Sequence, residues 1–237
     1  MIEQIVTETL QERVYATIKD SIMKNELLPG QPLLIDKLAQ DLGVSPTPVR
    51  EAVARLAVDG LVERTQNKTA LVAGISAEDV RQVYEVRRLL EPHVASLVAK
   101  KCSVNPNFKK SLYEIRKDAE GIQEILAASI PLTSSQYETY LGVGLRLQEV
   151  ILEALGDTLL EQVLSLVGNH SLRIRSFAEA SSTACESKIL HVVNNEHLAI
   201  LDALLDGDQK RVMEAIRKHL SNAEARTIQA FKKFMQS

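Results

Sequence analysis

The chain has no tryptophan, only 4% aromatic residues and just two cysteines in 237 positions. Cys102 and Cys185 have neither a CxxC spacing nor the density of a disulfide scaffold, so they are read as reduced, structural thiols. Long apolar runs are missing too: nothing approaches the roughly 18 uninterrupted apolar residues of a membrane span. The opening MIEQIVTETLQERVY carries acids where a secretory leader carries bases, so a cytoplasmic protein with no membrane partner is expected. An excess of positive charge is the last absence. The net charge is −3, and residues 1–75 hold eight Lys and Arg against ten Asp and Glu, so no bulk basic domain advertises a nucleic-acid partner.

What is present is 45% hydrophobic and 25% charged residues, the balance of a folded globular protein. With aromatics scarce and Leu, Ala, Val, Glu and Lys abundant, the fold class is mainly α, helices packed on helices with few strands. Leu10, Val14, Ile18 and Ile22 form one apolar helical stripe that is expected to end near Leu28, before the breaker PGQP. A second helix, 35–42, stops at Gly43. A third opens with Ser45 at the N-cap and Pro46 at the first helical position, and buries Val49, Val53 and Leu56. After Gly60, LVERT and TALVA flank QNK as a small hairpin. Two helices joined by a short turn and followed by a hairpin make a winged helix-turn-helix, assigned to residues 1–75. From 76 to 237 the pattern changes to an all-helical bundle of about six helices, near 76–101, 107–128, 135–155, 157–178, 187–205 and 208–235.

The stretches VSPTPVREAVARLAVDGLVER, VYEVRRLLEP and EHLAILDALLDGD, the last trailed by IRKHL, occur in an order and spacing that resembles the GntR superfamily of bacterial transcription regulators. The branch is the one with a FadR-type, all-helical FCD domain, and the likeness runs from about Leu10 to Ile228. It implies a homodimer that responds to a small-molecule effector and places one winged helix on each half-site of a palindromic operator in double-stranded DNA.

With Val49, Val53 and Leu56 inward, helical phase turns Thr47, Arg50 and Ala54 outward, with Ser45 at the entry. Arg50 is placed to fork onto a guanine edge, while Ser45 and Thr47 sit where hydroxyls and backbone N–H groups meet phosphate. Lys37 and Arg64 are further phosphate candidates, and Gln66, Asn67 and Lys68 form the wing tip.

FCD domains commonly hold a divalent metal such as Zn, Ni or Mn through an Asp, a His four residues later, and one His on each of two later helices. His197 and His219 match the later pair, but Gly144 and Gln148 stand at the first two positions. A metal retained here would rest on His197 and His219, with His170, Asn169 or an effector carboxylate available to complete the set. Without one, the two imidazoles line a pocket with Gln148. Arg87 either pairs with Glu91 one turn on or holds an effector carboxylate. The effector expected is a small organic acid. Two other readings are a winged-helix adaptor that touches no DNA and a helical metal-dependent hydrolase.

Overall fold

The structure, a computed structural model, describes residues 9–64, 69–156, 159–181 and 187–234. It divides into two compact units. One holds the helices and strands before Asp79 together with Asn169–Ala180; the other holds the remaining chain from Val80. The division thus falls a few residues beyond the expected boundary at 75, and a piece of a later helix groups with the N-terminal unit.

In the first unit, α1 (Leu10–Met23) opens with a capping box in which Thr9 accepts from the Glu12 N–H and the Glu12 carboxylate accepts from the Thr9 N–H. Val14, Ile18 and Ile22 are its buried stripe. The helix stops five residues short of Leu28. Asn25 takes a left-handed φ of 58°, and the N–H groups of Glu26 and Leu27 turn back to the Ser21 carbonyl. α2 (Ile35–Leu42) and α3 (Pro46–Val58) are joined through Gly43, whose φ of 66° is the conformation a side chain resists. Val49, Ala52, Val53 and Leu56 of α3 are buried against α1 and α2. β1 (Val62–Arg64) pairs antiparallel with β2 (Ala70–Val72), and the extended segment before α2 adds a partial third strand through Leu33 N–H to the Ala70 carbonyl at 2.8 Å.

The second unit is built from α4 (Ala77–Val104), α5 (Pro106–Ala127), α6 (Ser134–Leu155), the first part of α7 (Leu159–Ser181), α8 (Ser187–Asp206) and α9 (Gln209–Phe234). α4 starts on a Ser76–Asp79 capping box and runs through Pro92 without a break. α8 packs between α5 and α9, and α5 also packs on α6. Leu112, Leu201, Leu204 and Leu220 are fully buried in that core. Buried Asn194 ties α8 to α5, donating to the Ala119 carbonyl at 2.7 Å and to Gln123 at 2.8 Å. No helix of the described residues is long and apolar enough to cross a membrane.

Candidate nucleic-acid interface and effector site

The entry of α3 is shaped by two prolines. The four N–H groups at the start of a helix lack intrahelical partners, here those of residues 45 to 48. Pro46 and Pro48 have no N–H, so the remaining donors belong to Ser45 and Thr47, the two residues that also carry hydroxyls. Pro48 further deprives Ser45 of its N3 capping partner, and the Ser45 hydroxyl makes no cap hydrogen bond. Both hydroxyls are exposed at the positive end of the helix dipole, a ready setting for an anion.

One turn on, Arg50 is exposed and has no side-chain partner among the described residues, so it is not tied to Glu51. Thr47 and Arg50 share one face of α3, opposite the buried Val49, Val53 and Leu56. Ala54, which phases with Thr47 and Arg50, is half-buried and not exposed as they are. Lys37 on α2 and Arg64 on β1 are exposed. Gln66, Asn67 and Lys68 lie outside the described residues, as does Cys185. Cys102 is buried and free, with its thiol pushed up to about 11 by burial.

In the helical unit, the polar centre is Glu196, whose side chain is 6% exposed. Its Oε2 accepts from His219 Nδ1 at 2.8 Å and Arg226 at 3.0 Å, and its Oε1 accepts from Asn222 at 2.7 Å and Arg226 at 3.1 Å. Burial alone would raise this carboxyl. The hydrogen bonds from His219, Arg226 and Asn222 and the Arg226 charge outweigh it and hold Glu196 at about 2. An ionised acceptor at Oε2 also fixes the His219 proton on Nδ1. None of Glu196, Asn222 and Arg226 was singled out from sequence. The available signal was the helical spacing 219, 222, 226, which puts three donors on one face of α9.

His197 lies beside this cluster, its ring centroid 5.1 Å from that of His219. It is 8% exposed and packs on α6 at Gly144, where an added Cβ would stand 3.1 Å from its Cε1 and 3.4 Å from its Nε2. Gln148 is exposed, with Nε2 2.9 Å from the corresponding Cβ position at Gly168. Arg87 is paired with Glu91, Nε to Oε1 at 2.6 Å, and its guanidinium lies over the Tyr84 ring. Tyr84 reaches Thr227 of α9 at 3.2 Å, and Arg88 pairs with Glu224. The structure thus brings His197 and His219 together and leaves Arg87 in an ion pair of its own.

The residues present do not fit a divalent metal. Glycine offers no donor at 144, and His219 keeps a single ring nitrogen for coordination, so the two imidazoles supply at most two of the four donors a closed zinc site needs. Both oxygens of Glu196 are taken. Within the first unit, Asn169 accepts from Lys19 at 3.0 Å and His170 sits against Gly60. No group of three or more His, Cys, Asp or Glu among the described residues is arranged to hold an ion.

Comparison with known proteins places both units. Residues 10–72 match the family described as bacterial regulatory proteins, gntR family, and residues 82–222 match the FCD domain. The HTH-type transcriptional regulator LutR of Bacillus subtilis (strain 168) is 30% identical over 223 residues, 86% of this chain and 94% of that protein. An uncharacterized HTH-type transcriptional regulator in the TAR-I ttuE-ttuC' intergenic region of Agrobacterium vitis is 39% identical over 85 residues, 36% of this chain and 50% of that relative. The solved structure of E. coli McbR/YncC has the same fold, with a TM-score of 0.73 at 19% identity, covering 95% of this chain and 100% of that one. The metal-free FCD domain of TM0439 superposes on the helical region with a TM-score of 0.52 at 19% identity, covering 68% of this chain and 99% of that one.

The matched relatives are transcriptional regulators, so the hydrolase reading fails, and the adaptor reading gives way with it, because a regulator of the helix-turn-helix type acts on DNA. An FCD domain in turn implies a small-molecule effector. The chain belongs to the GntR family of bacterial regulatory proteins, in the FadR-type branch that carries an FCD domain, and is a DNA-binding transcriptional regulator, not an enzyme.

Proposed function

We propose that the protein binds a palindromic operator as a homodimer in the cytoplasm, with Arg50 reading a base edge in the major groove of each half-site. The observation that carries this reading is the unpartnered Arg50 on the same exposed face as Thr47, one turn inside a helix whose remaining end donors belong to Ser45 and Thr47. Ser45 and Thr47 hold a phosphate, Lys37 and Arg64 hold others, and Gln66, Asn67 and Lys68 follow the backbone beside the wing.

Dimerisation is supported by α4. Val86, Leu89, His93, Leu97 and Val104 fall on one side of that helix and are all exposed, opposite the buried Tyr84, Val94 and Val98. A second copy of α4 is the partner such a stripe suits, since a two-fold axis pairs like with like.

The effector we infer is a small organic acid bound in the helical unit near Gln148, His197 and His219. Its carboxylate reaches Arg87 only by exchanging with Glu91. It acts by binding one dimer geometry more tightly than another, the only way a ligand shifts such an equilibrium.

Selection from a random duplex pool tests the operator reading. Recovery of an inverted repeat supports it, and recovery of no sequence or of an asymmetric single site contradicts it.

A further inference from the structure

The FCD bundle in this chain lacks half of the ligand set its family implies, and what fills the place is specific. At Gly144 the His197 imidazole lies against the α6 backbone, 3.1 Å from the point where a side chain would begin. A side chain at 144 would begin in tight contact with the ring, which would have to shift by a few tenths of an ångström to admit it. At the other end of the cluster, the Glu196 carboxylate of α8 is gripped by the Arg226 fork and by Asn222 as well as His219. A bidentate guanidinium–carboxylate pair is directional and hard to displace, and its cation repels a dication approaching the same two imidazoles.

A structural metal joins helices by drawing side chains from each onto one charge. Here the same job falls to covalently fixed groups: Glu196 on α8 is held by three residues spaced 219, 222 and 226 on α9. His197 meets α6 through packing on a glycine.

We propose that the helical unit works without a bound metal ion, the Glu196–Arg226 pair, braced by His219 and Asn222, taking over the cross-link between α8 and α9. This rests on the FCD reading of the bundle and deepens it: the effector is met by side chains and backbone with no metal bridging it to the protein.

The test uses the full-length protein, dialysed against EDTA and then supplied in separate samples with one equivalent of Zn²⁺, Ni²⁺ or Mn²⁺. Elemental analysis after desalting is expected to show no retained metal, and the melting temperature is expected to match that of the chelated sample. Retention of about one metal per chain together with a raised melting temperature, both lost in His219→Ala, overturns the proposal. That outcome leaves operator binding untouched, so it does not bear on the regulator reading itself. A second arm uses Arg226→Met, which keeps the length and removes the charge. Its melting temperature is expected to fall by roughly 10 °C, as when one partner of a buried ion pair is removed in a domain of this size. An unchanged melting temperature means that the pair does not carry the cross-link, and contradicts the proposal without any reference to metal.

Discussion

Arg50 and Lys37 are both exposed cations with different proposed partners, a base edge and a phosphate, and salt separates the two. Replacing Lys37 by Ala is expected to weaken binding to every duplex alike and to lower the slope of log affinity against log salt by about 1, because one phosphate contact is lost. Gly60 has a φ of 70°, and an added Cβ would stand 2.6 Å from His170 Cε1. Gly60→Ala should cost about 1–2 kcal/mol from the backbone alone, read as a fall in midpoint on denaturant titration. The break after α3 is visible in sequence because glycine punctuates helices. The imidazole that crowds Gly60 is not, since it comes from 110 positions later in the chain. The same limit explains why His197 and His219 stood out while Glu196 and Arg226 did not: a charged residue on a helix reads as solvated until its partner, thirty positions away, is placed beside it.

Helix α3 combines the proposed reading face with core packing. Leu56 is fully buried among α1, α2 and β1, so Leu56→Ala should cost about 2–5 kcal/mol and abolish DNA binding through unfolding, visible as a loss of helical signal on mild heating. α1 is tied to the end of α3 where the Tyr15 hydroxyl donates to Asp59 and Arg55 lies 4.1 Å from the Tyr15 ring centroid. Burial and the neighbouring Asp59 push that phenol up to about 12. The tie between α8 and α9 has a pH signature. Glu196 titrates at about 2 when folded against an ordinary 4.5, so its contribution is complete above 4.5 and is lost as the pH falls towards 2. Glu196→Gln should therefore flatten the acid limb of a stability profile over that range, measured as midpoint against pH. Helices were largely legible because a 3.6-residue apolar period is local information. α1 was read five residues too long because Leu27 and Leu28 continue its apolar pattern, while the left-handed Asn25 that ends it leaves no comparable mark.

For the whole molecule, the winged helix and the helical bundle were both legible, the first from its prolines and glycines and the second from the length of its periodic stretches. The proposed dimer rests on the stripe that α4 leaves exposed. Leu89 is 72% exposed on that stripe, so Leu89→Glu should convert the proposed dimer to monomer on size-exclusion chromatography with light scattering, without loss of helical content. Operator affinity should fall with it, since each monomer holds one half-site. The proposed reading of sequence by Arg50 is decided by a mobility-shift titration of wild type and Arg50→Ala on the selected operator and on a scrambled duplex of equal length. The variant should lose roughly 10- to 100-fold on the operator and little on the scrambled duplex, with an unchanged melting temperature. A variant that still discriminates the operator as wild type does would contradict it.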